Sequence, residues 1–298
     1  MNILRIEDVV KTYDKHVAVN HVSFDMSEGC IFGMLGPNGA GKSSLIRMIT
    51  TITRPDSGRI FFADEPLNSR HPEQIGYMPE ERGLYKKMKV GEHMLYLAQL
   101  KGLSYNEART EVKKWFIKLN ITDWWDKKVD ELSKGMQQKV QFVSTVIHKP
   151  RLLILDEPFS GLDPLNADLL KNEIYELHKT GTSIIFSTHR MEQVEEICDK
   201  IVLINKGKNV LFGDVKEIKQ QFKENLFRID YEGSLPDMNN DISLVEQTPQ
   251  YLTLKLKEGA DSNGVLRHLL DSGTLITAFN EILPTLNDIF IRQVGETN

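Results

Sequence analysis

The stretch Gly36-Pro37-Asn38-Gly39-Ala40-Gly41-Lys42-Ser43 constrains this chain more than any other feature. It fits the pattern Gly-x-x-x-x-Gly-Lys-Ser, whose small residues let backbone N–H groups close around a phosphate. The apolar run Cys30 to Leu35 leads straight into it and reads as a strand. Lys42 to Thr51 follows as a helix, with Leu45, Ile46 and Ile49 at helical spacing. Strand, loop and helix in that order are the context a phosphate loop requires, so a chance glycine-rich turn is the poorer reading.

The surrounding pattern extends that unit. Val17 to Phe24, Leu152 to Leu155, Ser183 to Ser187 and Lys200 to Asn205 read as further strands. Val90 to Lys139 reads as mostly helical, with apolar positions at Leu95, Leu97, Leu100, Val112, Trp115, Phe116 and Leu119. Strands separated by helices predict an α/β fold with a mainly parallel sheet covered on both faces, carrying a helical insertion over about 86–140. After Gly213 the pattern shifts. Tyr251 to Lys257 alternates strictly and puts Leu252, Leu254 and Leu256 on one face. With Leu226 to Tyr231, a helix near Val265 to Leu270, Thr274 to Phe279 and a last helix from Thr285 to Val294 begun by Pro284, this predicts a small α+β domain. The expected domains are 1–215 and 216–298.

Composition narrows the class. Hydrophobic residues at 40% and charged residues at 27% suit a soluble globular chain. No run of 18 apolar residues is present to span a membrane, and no secretion signal is visible at the N-terminus. Cys30 and Cys198 lack metal-ligand spacing and are expected as reduced cytosolic thiols. A net charge of −5 offers no broad electrostatic reason to bind nucleic acid.

Five more short motifs follow the loop. They are Tyr77-Met78-Pro79-Glu80, Leu132-Ser133-Lys134-Gly135-Met136, Leu152 to Glu157, Ser160-Gly161-Leu162-Asp163 and Ser187-Thr188-His189. Gly39, Ala40 and Gly41 are placed to wrap a β-phosphate, helped by the helix N-terminus at Lys42. Lys42 supplies positive charge between β- and γ-phosphates, Ser43 is a Mg²⁺ ligand, and Ser44 reaches the α-phosphate. Asp156 ends an apolar strand as a Mg²⁺ partner acting through water, and Glu157 beside it suits a general base. The competing reading of that pair is an acidic strand end capping the Pro158 loop.

The ordered series resembles the ATP-binding subunit of ABC transporters. The resemblance implies a P-loop NTPase ABC ATPase fold with an N-terminal antiparallel β part, and ATP and Mg²⁺ as cofactors. It implies that Gly36, Pro37 and Asn38 belong with the nucleotide-binding loop, that Tyr13 stacks on adenine, and that His189 contacts the γ-phosphate and steadies the water and carboxylate. Leu132 to Met136 is similar to the family signature Leu-Ser-Gly-Gly-Gln. Ser133 and Gly135 would therefore complete the site of a second copy, with Asp163 near the seam of a head-to-tail homodimer.

Two of the motifs depart from the family pattern, at three positions. Lys134 and Met136 replace a glycine and a glutamine, and the side chain of Met136 cannot hydrogen-bond. Glu80 stands where a glutamine is usual, as a Mg²⁺ ligand with an added charge. Pro79 to Tyr85 is similar to an exporter subgroup that includes sodium-extrusion ATPases, although a solvated turn with Glu81 and Arg82 paired remains open.

The resemblance thus implies an ATPase subunit that drives export through a separate integral membrane permease, lying peripherally on the cytoplasmic face, with sodium or drug and peptide efflux as its cargo class. A regulatory or non-transport ATPase is the alternative, and a nucleic-acid partner is not expected. Trp124 and Trp125 read as packing, and Lys86 to Lys89 as a solvated face.

Overall fold

A computed structural model describes residues 1–81, 83–236, 242–257 and 259–295. Arg82 lies outside the described residues, so its expected pairing with Glu81 is not traced. The chain divides into two compact units, Met1–Asp214 and Val215–Asn298.

The first unit opens with a long hairpin, β1 (Asn2–Tyr13) and β2 (His16–Ser27), then β3 (Ile31–Leu35), α1 (Lys42–Ile49), β4 (Ser57–Phe62), β5 (Glu65–Pro66) and β6 (Ile75–Met78). Three helices follow, α2 (Val90–Leu100), α3 (Tyr105–Lys118) and α4 (Lys134–Val146). The chain then alternates through β7 (Leu152–Asp156), α5 (Pro164–Lys179), β8 (Ser183–Thr188), α6 (Met191–Ile197), β9 (Lys200–Asn205) and β10 (Lys208–Asp214).

A six-stranded sheet in the order β10-β9-β3-β8-β7-β6 forms the centre. It is parallel except for the β9–β10 pair. Every residue of β3, β7 and β8 is buried, as strands covered on both faces require. One face packs against α1 together with an antiparallel sheet in the order β2-β1-β4-β5. Phe32, Met34, Ile154 and Val202 meet Ile6, Val22, Met26 and Phe62 there. That cover is thus partly sheet, as the expected N-terminal antiparallel part supplies it. Cys30 and Cys198 are free buried thiols, and burial pushes Cys30 up to about 11.

The helical insertion has its own core, including Val90, Met94, Val112, Phe116, Val140 and Val143. Ser104 starts α3 with a reciprocal cap: its side chain accepts from Glu107 N and its N–H donates to the Glu107 carboxylate. Val112, Phe116 and Leu119 are buried as the periodicity predicts, but Leu100 is 61% exposed. Met94 and Ala98 face the core instead, and Leu100, the last residue of α2, falls on the other side. Trp124 and Trp125 pack at the edge of this core, Trp125 meeting Phe116 edge-on at 5.4 Å. Lys87 pairs with Asp130 and Lys89 with Asp126 on the exposed surface.

The second unit runs α7 (Val215–Gln221), β11 (Leu226–Glu232), β12 (Ile242–Gln247), β13 (Tyr251–Leu256), α8 (Ser262–Asp271), β14 (Leu275–Ile282) and α9 (Leu286–Gly295). Its antiparallel sheet has the order β12-β13-β11-β14. Leu252, Leu254 and Leu256 point into a core with Phe227, Ile229, Val265 and Leu269. Thr285 and Asp288 cap α9 reciprocally, at 3.0 and 3.1 Å, so Pro284 precedes the cap and does not open the helix as expected.

Candidate functional site

Strand register gathers the motifs at one edge. Met78 pairs with Leu155, Asp156 with Ser187, and Leu35 with Thr188, all in parallel. The carboxyl ends of β3, β6, β7 and β8 therefore lie side by side, where open parallel sheets present their loops to ligands. The phosphate loop leaves β3 there, Glu80 follows β6, Asp156 and Glu157 end β7, and His189 follows β8.

All of these segments but the His189 turn line a cavity of about 390 Å³, and His189 is joined to it through its bonds to Glu157. Asn38 to Ser44 form its floor, with Glu80, Asp156 and Glu157 on one side and Tyr13 on another. Gly41 is the N-cap of α1 in left-handed conformation (φ 110°), and a Cβ there would stand 2.3 Å from the Ala18 carbonyl. No side chain caps α1, so its first N–H groups remain available to an anion. Lys42 is buried, and its Nζ donates to the carbonyls of Gly36 (2.7 Å) and Pro37 (3.1 Å). Burial lowers its pKa, against the opposing pull of Asp156, Glu157 and Glu80. Asp156 is buried as well, and that burial raises its pKa while Lys42 opposes it.

Glu157 adopts a left-handed backbone (φ 49°), a strained choice for a side chain of this size. Its N–H donates to the Ser187 carbonyl at 2.8 Å, which fixes the turn. Its Oε1 accepts from the backbone N–H of His189 at 2.8 Å and pairs with His189 Nδ1 at 2.5 Å. Its Oε2 accepts from Thr188 Oγ1 at 3.0 Å. Three donors thus hold one carboxylate.

Among the described residues no three histidine, cysteine or acidic side chains cluster tightly enough to cage a metal. Glu80, Asp156 and the Ser43 hydroxyl nevertheless line one cavity. Two carboxylates and a hydroxyl beside a phosphate cradle fit Mg²⁺, which keeps several waters and leans on substrate phosphates, better than a cation needing a full protein cage.

Sequence reasoning missed His16 and Arg47, which also line the cavity. His16 pairs with Tyr13 across the hairpin, and Arg47 lies four residues after Ser43 on α1. Gly36 and Pro37 lie behind the floor as partners of Lys42.

Ser133, Gly135 and Asp163 do not line this cavity. Ser133 caps α4, accepting from Met136 N at 3.3 Å, and Asp163 caps α5, accepting from Asn166 N at 3.1 Å. Met136 packs half-buried against the helical core. Lys134 lines a second cavity of about 600 Å³ with Glu80 and Glu81, so the two departures from the family pattern meet at one place.

Comparison with known proteins agrees with this geometry. Residues 19–160 match the ABC transporter family, and residues 213–294 match the C-terminal domain of DrrA1-3-like ATP-binding proteins. An uncharacterized ABC transporter ATP-binding protein of Bacillus subtilis, YhaQ, is 44% identical over 98% of this chain and 99% of its own length. The linearmycin resistance ATP-binding protein LnrL of the same organism is 33% identical over 71% of this chain and 69% of its own. A solved structure of an ATP-binding subunit of an ABC transporter superposes with a TM-score of 0.69, at 30% identity, covering 74% of this chain and 93% of that one. Matched by the family model and 44% identical to a relative along nearly the whole of both chains, this chain belongs to the family of ABC transporter ATP-binding proteins.

Proposed function

We propose that the chain binds and hydrolyses Mg²⁺·ATP and that the hydrolysis drives export through a separate membrane permease. The observation that carries this reading is the convergence of Lys42, Asp156 and Glu157, the last held by His189, on one cavity floored by the phosphate loop. The loop N–H groups and Lys42 bind the phosphates, and Tyr13 stacks on the adenine. Ser43, Asp156 and Glu80 hold Mg²⁺, which supplies charge neutralisation at the β- and γ-phosphates. Glu157 takes a proton from the water that attacks the γ-phosphorus as the bond to the β-phosphate oxygen breaks. His189 orients that carboxylate and reaches the γ-phosphate.

Ser133, Gly135 and Asp163 stand at helix starts outside this cavity, which suits contact with the nucleotide of a second copy in a head-to-tail homodimer. No described helix is long and apolar enough to cross a membrane, so in this reading the path comes from another chain, with this one on the cytoplasmic face. Export is supported by LnrL, a linearmycin resistance protein, and by the Pro79–Tyr85 resemblance to exporters. Sodium or drug and peptide efflux is the cargo class.

Glu157→Gln tests the reading. It is expected to bind ATP and elute as a stable dimer with little phosphate release, whereas the wild type turns over. Rapid hydrolysis by the variant would sink the general-base role. Purification from membranes should retain an integral membrane protein, and vesicles holding the pair should move a solute only with ATP. A chain that never associates with such a partner overturns the transport role.

A further inference from the structure

Two buried glutamines on α4 reach the segments that carry two of the proposed active carboxylates, Glu80 and Glu157. Gln138 is 3% exposed, and its Nε2 donates to the Pro158 carbonyl at 3.0 Å. Gln141 is 4% exposed, and its Nε2 donates to the Pro79 carbonyl at 2.8 Å. Pro158 directly follows Glu157, and Pro79 directly precedes Glu80. At a spacing of three the two amides share one helix face, so a single rigid element grips both places.

The Gln141 amide is kept at a cost. Its Oε1 is buried without a partner among the described residues, and turning the amide over would set oxygen against oxygen. A buried amide with half its capacity unused is held for the one bond it makes. The helix also has little room to slide. At Gly76 on β6 a Cβ would lie 2.5 Å from the Thr145 carbonyl of α4, so helix and strand are in close backbone approach. Proline fixes the φ between the held Pro158 carbonyl and Glu157, and the held Pro79 carbonyl shares a planar peptide unit with the Glu80 nitrogen, so both pass the position of α4 to the neighbouring carboxylates with little slack.

We propose that Gln138 and Gln141 are positioning residues that make α4 a strut between Glu80 and Glu157, so that the metal-binding and water-activating groups take their places together. This rests on the hydrolytic reading above and extends it to residues that touch neither nucleotide nor metal. It also gives the signature segment at the start of α4 a route to its own chain's carboxylates.

The test uses Gln138→Met and Gln141→Met, which keep volume and remove the donor, together with the double variant. Phosphate release is measured against Mg²⁺ concentration at saturating ATP. Either single change is expected to lower kcat and to raise the Mg²⁺ half-saturation, each by roughly five- to tenfold, the scale of one lost hydrogen bond. The double variant should be no worse than the more severe single one, because a strut cut at either end is already cut. Melting temperatures should stay close to wild type. The proposal is overturned if Gln141→Met changes only the Mg²⁺ response, Gln138→Met only kcat, and the double variant shows their product. Wild-type kinetics in both variants, or losses that vanish on cooling along with a lowered melting temperature, overturn it too. If the wild type releases no phosphate, the hydrolytic reading has failed. The Mg²⁺ dependence of a fluorescent ATP analogue then decides the strut, since both variants must weaken it equally.

Discussion

Glu157 Oε1 is shared by the backbone N–H and the ring Nδ1 of His189, at 2.8 and 2.5 Å. An ionised carboxylate only accepts, so in this pair Nδ1 carries the proton and Nε2 is the nitrogen left for another contact. With Thr188 on Oε2, three of roughly four lone-pair directions are occupied, leaving about one for a water. The arrangement orients a base without saturating it.

His189→Ala should therefore weaken turnover less than Glu157→Gln. The variant loses the ring contact but keeps the backbone N–H and Thr188 bonds to the carboxylate. One charged hydrogen bond is worth about 1.5–3 kcal/mol, so kcat should fall roughly 10- to 100-fold. Loss of the general base itself should cost about 10²- to 10⁴-fold. Phosphate release at saturating Mg²⁺·ATP ranks the two, and a Glu157→Gln variant faster than His189→Ala would reverse the assignment.

Ser133 has two duties that mutation can separate. As N-cap of α4 it accepts from Met136 N, and Ser133→Ala should lower stability by about 1 kcal/mol on that account alone. Ser133→Asp restores a capping oxygen but brings a negative charge to a segment proposed to face phosphate. Urea unfolding should show the aspartate variant near wild type and the alanine variant shifted. ATP-dependent dimer formation should be lost more completely in the aspartate variant. Full dimerisation with aspartate at 133 would leave the serine a capping role only.

Some of this was legible in the sequence because local pattern and tertiary need agree. The β3–loop–α1 unit shows a strand of apolar residues, glycines where the backbone turns and a helix period. Leu252, Leu254 and Leu256 alternate because one face of β13 is buried. Other parts have no local signal. β12 is almost wholly exposed at the sheet edge, and its Ile-Ser-Leu-Val-Glu-Gln sequence becomes a strand through pairing with β13. Leu100 fits the apolar spacing yet faces solvent, since the buried stripe of α2 runs through Val90, Met94 and Ala98 and Leu100 lies off it. His16 and Arg47 reach the cavity through a hairpin register and a helix face that only the folded chain brings together.

Lys42 holds two loop carbonyls, so its removal acts on loop shape and on charge at once. Lys42→Ala should abolish measurable ATP binding, and Lys42→Arg should not restore it. The longer planar guanidinium cannot fit a site where Lys42 is 8% exposed and its ammonium is bonded to the Gly36 and Pro37 carbonyls. Equilibrium binding of a fluorescent ATP analogue measures this, and near-normal affinity in the arginine variant would show that charge alone suffices.

His93 makes the helical insertion sensitive to acid. The ring is fully buried, neither nitrogen has a partner among the described residues, and Tyr85 meets it edge-on at 5.6 Å. Burial pushes its pKa down from 6.5 to about 4. The folded value lies below the unfolded one, so the neutral ring's contribution is complete above about pH 6.5 and is withdrawn as pH falls towards 4. At about 1.36 kcal/mol per pH unit the loss approaches ~3 kcal/mol at the acid end. His148, also pushed down to about 4, first by burial and then by the Lys101 charge, adds a similar term. His93→Phe keeps an aromatic against Tyr85 and cannot be protonated. Urea unfolding at pH 7.5 and pH 5 should show a smaller acid loss in the variant, with the remainder due to His148 and the carboxylates. Identical acid losses in variant and wild type would place the sensitivity elsewhere in the chain.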